Sequence, residues 1–189
     1  MEAAALSGGF ADAPRDAAHA FRAAMRAMAR PGTVERLVGA APPAPLSQAA
    51  GTLILTLCDA DTPVHLAGAA DCAEVRAWIG FHCSAPLAAA GACAFAVGAW
   101  ADLVPLDRFP AGTAEYPDRS ATLIVDGSDL AGEAAVLSGP GLAEPRRVGL
   151  PDPGALAANA ARFPLGVDLF FTSDDRVFAL PRATRIKVA

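Results

Sequence analysis

Phe21, Met25 and Met28 recur at i, i+4 and i+7 in an alanine-rich stretch. That spacing predicts a helix over Pro14–Arg30 with the three side chains on one apolar face. Pro31-Gly32 stops it. Arg22, Arg26 and Arg30 repeat at i, i+4 and i+8. They read as a solvated cationic stripe near the helix C-terminus, where the dipole favours them, or more sharply as a partner or anion contact.

Thr33–Val38 reads as a short strand and Ala40–Pro45 as a proline-rich loop. The near-continuous apolar run Gly51–Cys58 has the length and β-branched content of a strand buried on both faces. Asp59–Pro63 then forms an Asx-type turn, which would place Asp59 and Asp61 at that strand's C-terminal end. Val64–Ala67, Ala92–Val97, Thr122–Val125, Ala134–Gly139 and Val167–Thr172 are further strands. Arg176–Leu180 returns as a hairpin partner after Ser173–Asp175, and Pro181–Val188 is a tail or last strand. Helices are predicted over Asp71–Ile79, with Val75, Trp78 and Ile79 inward, and over Pro153–Ala161. Helices and strands are interleaved, which predicts an α/β fold, a three-layer sandwich with a mixed sheet ending in an antiparallel hairpin. One domain over 1–189 is expected, with a short N-terminal arm of about residues 1–12.

Charge narrows the function classes. The chain of 189 residues has a net charge of −5, so it lacks the bulk basic charge of a duplex nucleic-acid binder. Its basic residues are arginines apart from Lys187, near the C-terminus. Cys58, Cys72, Cys83 and Cys93 form no C-x-x-C pair, so no zinc ribbon or iron–sulfur cluster is expected. Met1–Phe10 has no basic n-region, and a cytoplasmic protein with reduced thiols is expected. Ala77–Ala101 is free of Asp, Glu, Lys and Arg, long enough to cross a bilayer. Its Gly, Pro, Ser and Ala content fits a helix end, a loop and a buried strand better, so no membrane contact is expected.

Several chemistries are excluded by motif. There is no P-loop, dinucleotide fingerprint, nucleophile elbow or closely spaced His pair. A Schiff-base lysine is also lacking, since Lys187 is in a terminal tail. Two segments are richer than packing requires. Phe81–Pro86 carries His82 beside Cys83, a candidate hydrogen-bonding or acid–base group. Gly112–Thr122 carries Thr113, Tyr116 and Arg119 among carboxylates and hydroxyls; it is either a surface loop or an oxyanion or phosphate site.

The ordered set Phe21-Arg22, Met28–Gly32, Leu55–Val64, Phe81–Leu87, Gly112–Pro117, Ala121–Ile124, Leu137–Leu142, Phe163–Leu169 and Leu180–Thr184 resembles the PhnH family of the bacterial carbon–phosphorus lyase system. The match runs from about Phe10 to the end. The family carries no proven catalytic residues onto this chain. The resemblance implies a fold related to pyridoxal-phosphate-dependent transferases without the cofactor. It implies homodimers that join a core assembly with PhnG, PhnI and PhnJ. That system couples an alkylphosphonate to the ribose of ATP and displaces adenine. The radical step belongs to another subunit, so no cluster is expected here. Family positions become ligand-binding or interface candidates: Arg22, His82, Thr113, Tyr116, Asp168 and Arg182, with Arg119 added from the loop itself. The family can carry a basic residue before Phe81; Gly80 stands there, which counts against anion binding by that segment. Two alternatives remain: an enzyme acting on a phosphorylated substrate through the Gly112–Thr122 loop, and a small-ligand or nucleotide-binding module without catalysis.

Overall fold

The computed structural model describes residues 7–128 and 132–189. The first six residues of the expected arm therefore lie outside the described residues. The order is α1 (Ala13–Ala29), β1 (Glu35–Arg36), α2 (Gln48–Leu57), β2 (Val64–Leu66), α3 (Ala73–His82), β3 (Phe95–Gly98), α4 (Trp100–Leu103), β4 (Thr122–Asp126), β5 (Glu133–Ser138), β6 (Arg146–Leu150), α5 (Pro153–Ala160), β7 (Asp168–Ser173), β8 (Arg176–Leu180) and β9 (Arg185–Val188).

Among the described residues, six strands form a mixed sheet in the order β1-β8-β7-β4-β3-β2. The β2–β3, β3–β4 and β4–β7 pairs are parallel, while β8 runs antiparallel to both β7 and β1. The expected α/β class, partly parallel sheet and closing hairpin are all present. Register explains why the inner strands are largely apolar. Leu66, Val97, Ile124, Phe170 and Ala179 align in one row across five strands and bury into a core with α1, α2 and α3. The neighbouring row, Ala96, Leu123, Leu169 and Leu180, faces a second core with α4, α5, β5 and β6. β3, β4, β7 and β8 are covered on both sides, so alternation of polar and apolar residues is lost there. The strands β6-β5-β9 form a separate antiparallel sheet.

Two expectations are corrected. Gly51–Cys58 is not a strand; Gln48–Leu57 is helix α2, buried over Ala49–Ile54. An all-round apolar helix of ten residues carries the same pattern as a buried strand. Ser47 caps it by accepting from the Ala50 N–H at 3.1 Å. Asp59 and Asp61 thus follow a helix. The Asx turn itself is present: Asp59 Oδ1 accepts from the Asp61 N–H at 3.0 Å and the Thr62 hydroxyl at 2.7 Å. On α1, the inward face is not Phe21 and Met25, which are 48 % and 53 % exposed. Ala20, Ala23, Ala24 and Ala27 are inward instead. A methyl-sized stripe lets α1 lie close against α2 and β8, and only Met28 of the larger stripe packs against the core.

The pattern also left β6 unread, while the tail does contain a strand, β9. The uncharged stretch 77–101 is divided among the end of α3, a loop, β3 and the start of α4. Among the described residues, no helix is long and apolar enough to cross a membrane.

Candidate functional site

Five of the seven candidate residues converge at one end of the large sheet's inner strands, where β4 and β7 begin and β8 finishes. Thr122 at the start of β4 is in register with Asp168 at the start of β7. Leu180 ends β8 two residues before Arg182. Asp168 takes both contacts from this neighbour: its Oδ1 accepts from the Arg182 backbone N–H at 2.8 Å, and its Oδ2 pairs with the guanidinium Nη2 at 3.0 Å. The two N–H groups of the guanidinium Nη1 face three oxygens, Ser120 Oγ at 2.5 Å, the Pro117 carbonyl at 2.6 Å and the Gly166 carbonyl at 3.0 Å, so one of them is shared between two acceptors. The two side chains are 16 % and 21 % exposed. A planar fork suits this pattern, because it can direct several N–H groups at fixed oxygens.

The loop thus held also folds on itself. The Thr113 N–H donates to the Tyr116 carbonyl at 3.1 Å, and the Tyr116 N–H donates to Thr113 Oγ1 at 3.0 Å. Gly112 has φ +78°, and a Cβ there would lie 2.6 Å from the Pro117 carbonyl oxygen, so only glycine fits. Arg119 lies 4.1 Å over the Tyr116 ring, and both residues are exposed. The loop therefore presents a hydroxyl, an aromatic ring and a guanidinium to solvent, together with the carboxylates of Glu115 and Asp118, while Arg182 and Asp168 anchor it from below. Such a mixed-charge surface suits a partner contact better than an anion site; a nucleophile paired with a base is not part of it.

Arg22 and His82 are elsewhere. Arg22 is exposed on α1, whose buried side belongs to the other core. His82 ends α3, with its Nε2 3.1 Å from the Ser7 carbonyl, which also accepts from Trp78 Nε1–H at 3.1 Å. A carbonyl only accepts, so this contact places a proton on His82 Nε2. A cleft of about 420 Å³ opens between His82, Leu55 and the Gly8–Phe10 segment. Beside it, burial pushes the Cys83 thiol up to about 11, so the His82-Cys83 pair offers no thiolate at neutral pH.

Two determinants are invisible to spacing. Asn159, 5 % exposed, donates to the Val167 carbonyl and accepts from the Val167 N–H, both at 2.9 Å. That clamp fixes the turn whose Gly166 carbonyl meets Arg182. At the opposite end of these strands, Asp126 accepts from the Ser47 and Gly127 N–H groups and the Thr172 hydroxyl, at 2.8, 3.0 and 2.8 Å. It ties the start of α2 to the ends of β4 and β7. The glycines at 112 and 166 were the available signals, and they mark turns without naming partners. Among the described residues, no three His, Cys, Asp or Glu side chains are grouped to hold a metal.

Comparison with known proteins identifies the family. Residues 8–187 match the family described as "Bacterial phosphonate metabolism protein (PhnH)". The chain is 43 % identical over 190 residues to a Rhizobium meliloti (strain 1021) protein named "Alpha-D-ribose 1-methylphosphonate 5-triphosphate synthase subunit PhnH". The alignment spans 96 % of this chain and 95 % of that protein.

Proposed function

The chain belongs to the PhnH family of bacterial phosphonate metabolism proteins, and from that membership we propose that it is a subunit of the carbon–phosphorus lyase core complex. In this reading it supports coupling of an alkylphosphonate to the ribose C1′ of ATP, with release of adenine. The carrying observation is the 43 % identity, over nearly the whole of both chains, to a protein named as a synthase subunit. Its companions would be PhnG, PhnI and PhnJ, and it would act as a homodimer in the cytoplasm.

The enzymatic role belongs to the complex, and this chain contributes architecture. The guanidinium of Arg182 is engaged by the protein's own oxygens, which supports a positioning role for Arg182 and Asp168. Thr113, Tyr116 and Arg119 form the contact surface on the loop, with Arg22 and His82 as separate contacts. The fold reading includes kinship with pyridoxal-phosphate transferases without their cofactor. Lys187, the chain's one lysine, is exposed on the edge strand β9, so no residue fits the role of a Schiff-base lysine. An iron–sulfur cluster is likewise assigned to another subunit.

Co-expression with PhnG, PhnI and PhnJ from the same organism, followed by native mass measurement, tests this reading. A stoichiometric assembly is expected. A chain that never joins the others would overturn it. A second reading, a small-ligand or nucleotide-binding module, is favoured by the cleft beside His82. Calorimetry with ATP or methylphosphonate at millimolar concentration, showing no heat, would dispose of it.

A further inference from the structure

Among the described residues, the outer face of the small sheet carries three cations that join no ion pair. In β5, Ala135 and Leu137 are fully buried, so Ala134, Val136 and Ser138 point the other way. Register places Arg147 and Lys187 on either side of Val136, and Arg185 beside Ser138. Those three cations therefore share one face. Arg147 and Lys187 are two strand spacings apart, about 10 Å, and Arg185 and Lys187 are about 7 Å apart along β9. Glu133 is in register with the buried Leu150 and so belongs to the inner face; Glu144 precedes β6. None of the ion pairs among the described residues involves these cations; the pairs use Arg26, Arg36, Arg76 and Arg182. Arg146 differs, because it alternates to the inner face and donates to Thr33 Oγ1 at 2.7 Å.

Three like charges within roughly a Debye length repel one another, in a chain whose net charge is −5. A counter-charge docked on the face would relieve that repulsion. Val136 and Ala134 between the cations provide apolar contact, the composition of a protein interface rather than of a phosphate pocket. We propose that this face docks an acidic surface of a companion subunit. The inference rests on the subunit reading above and specifies where, and with what charge, the contact is made.

The test uses the full chain co-expressed with PhnG, PhnI and PhnJ, as wild type and with Arg147→Glu, Arg185→Glu and Lys187→Glu combined. All three residues are exposed, and an unchanged circular dichroism spectrum and urea midpoint would verify the fold. The reversed face is expected to weaken incorporation by at least about tenfold at ~0.1 M salt, and added salt is expected to weaken the wild-type assembly. A variant that assembles like wild type at every salt concentration would overturn the docking face and leave the subunit reading standing. A wild-type chain that fails to assemble would overturn both. Inorganic tripolyphosphate titrated against the isolated chain provides a third arm. Binding that the variant loses while assembly is unchanged would make the face a small-anion site and overturn the proposal.

Discussion

Burial sets the ionisation of three thiols. It pushes Cys58 far up and lifts Cys83 and Cys93 from an ordinary value of 9.0 to about 11. The charged form is the one penalised, so folding favours the neutral thiol. That stabilisation is fully present below the unfolded value and is lost as pH rises through the folded one. Stability measured by urea unfolding is therefore expected to hold through neutral pH and to fall between about pH 9 and 11. A flat profile across that range would contradict the burial of these groups. At pH 8 the two-unit shift leaves Cys83 and Cys93 roughly a hundredfold less ionised than free thiols, so disulfide-reagent labelling of both should slow by a comparable factor relative to the unfolded chain. The acid limb is governed by other groups. Hydrogen bonds from Arg26, Thr62 and Arg76 hold Glu35, Asp59 and Asp71 below the usual carboxylate range. Their contribution is present at neutral pH and lost as pH falls through those depressed values. All three sit near solvent, so the acid limb is expected to be shallow and to flatten further with salt.

The 112–120 loop is held by the Arg182 side chain as well as by its own hydrogen bonds. Arg182→Ala removes three contacts to the loop and the adjoining turn, and leaves the mostly buried Asp168 without its cation. A loss of about 2 kcal/mol is expected, seen as a lower urea midpoint at unchanged slope. Arg182→Lys should recover only part of this, because an ammonium cannot reproduce the fork. Full recovery by lysine would mean that charge alone holds the loop. The same contrast between local pattern and distant partner explains which elements were legible. β4, β7 and β8 were readable from apolar runs ended by turn residues. α2 was misread because its buried surface extends around the helix, although Ser47 two residues after Pro45 was a usable cap signal. α1 was correctly read as a helix and wrongly oriented. Its alanines at 20, 23, 24 and 27 form a stripe as regular as Phe21, Met25 and Met28, and only the neighbouring α2 and β8 decide which one is buried. β6 escaped notice because Arg146, Arg147 and Gly149 interrupt its apolar content, and because one face is open.

The order of strands across the sheet is a property of the whole chain, and no local window contains it. The seven candidate residues show the same limit. Thr113, Tyr116 and Arg119 are neighbours in sequence, but Arg182 reaches Pro117 and Ser120 from more than sixty positions away. Only folding brings these groups together, and it leaves Arg22 and His82 apart from them. The large sheet also separates two cores, which raises the question of whether they unfold together. Leu53 is fully buried in one and Leu156 is 1 % exposed in the other. Each Leu→Ala change is expected to cost about 2–5 kcal/mol. The row Leu66, Val97, Ile124, Phe170 and Ala179 and its neighbours on the opposite face belong to the same strands. Loss of either core therefore exposes one side of β3, β4, β7 and β8, which also support the other. One cooperative transition is the expected consequence, with both substitutions lowering its midpoint and their costs adding within about 0.5 kcal/mol. The two tryptophans can report on it separately, since Trp78 packs in the first core and Trp100 against the second. In variants retaining one tryptophan each, the Leu53→Ala and Leu156→Ala changes should shift both fluorescence transitions equally. If each substitution moved only the signal on its own side, the two faces of the sheet would be independent units.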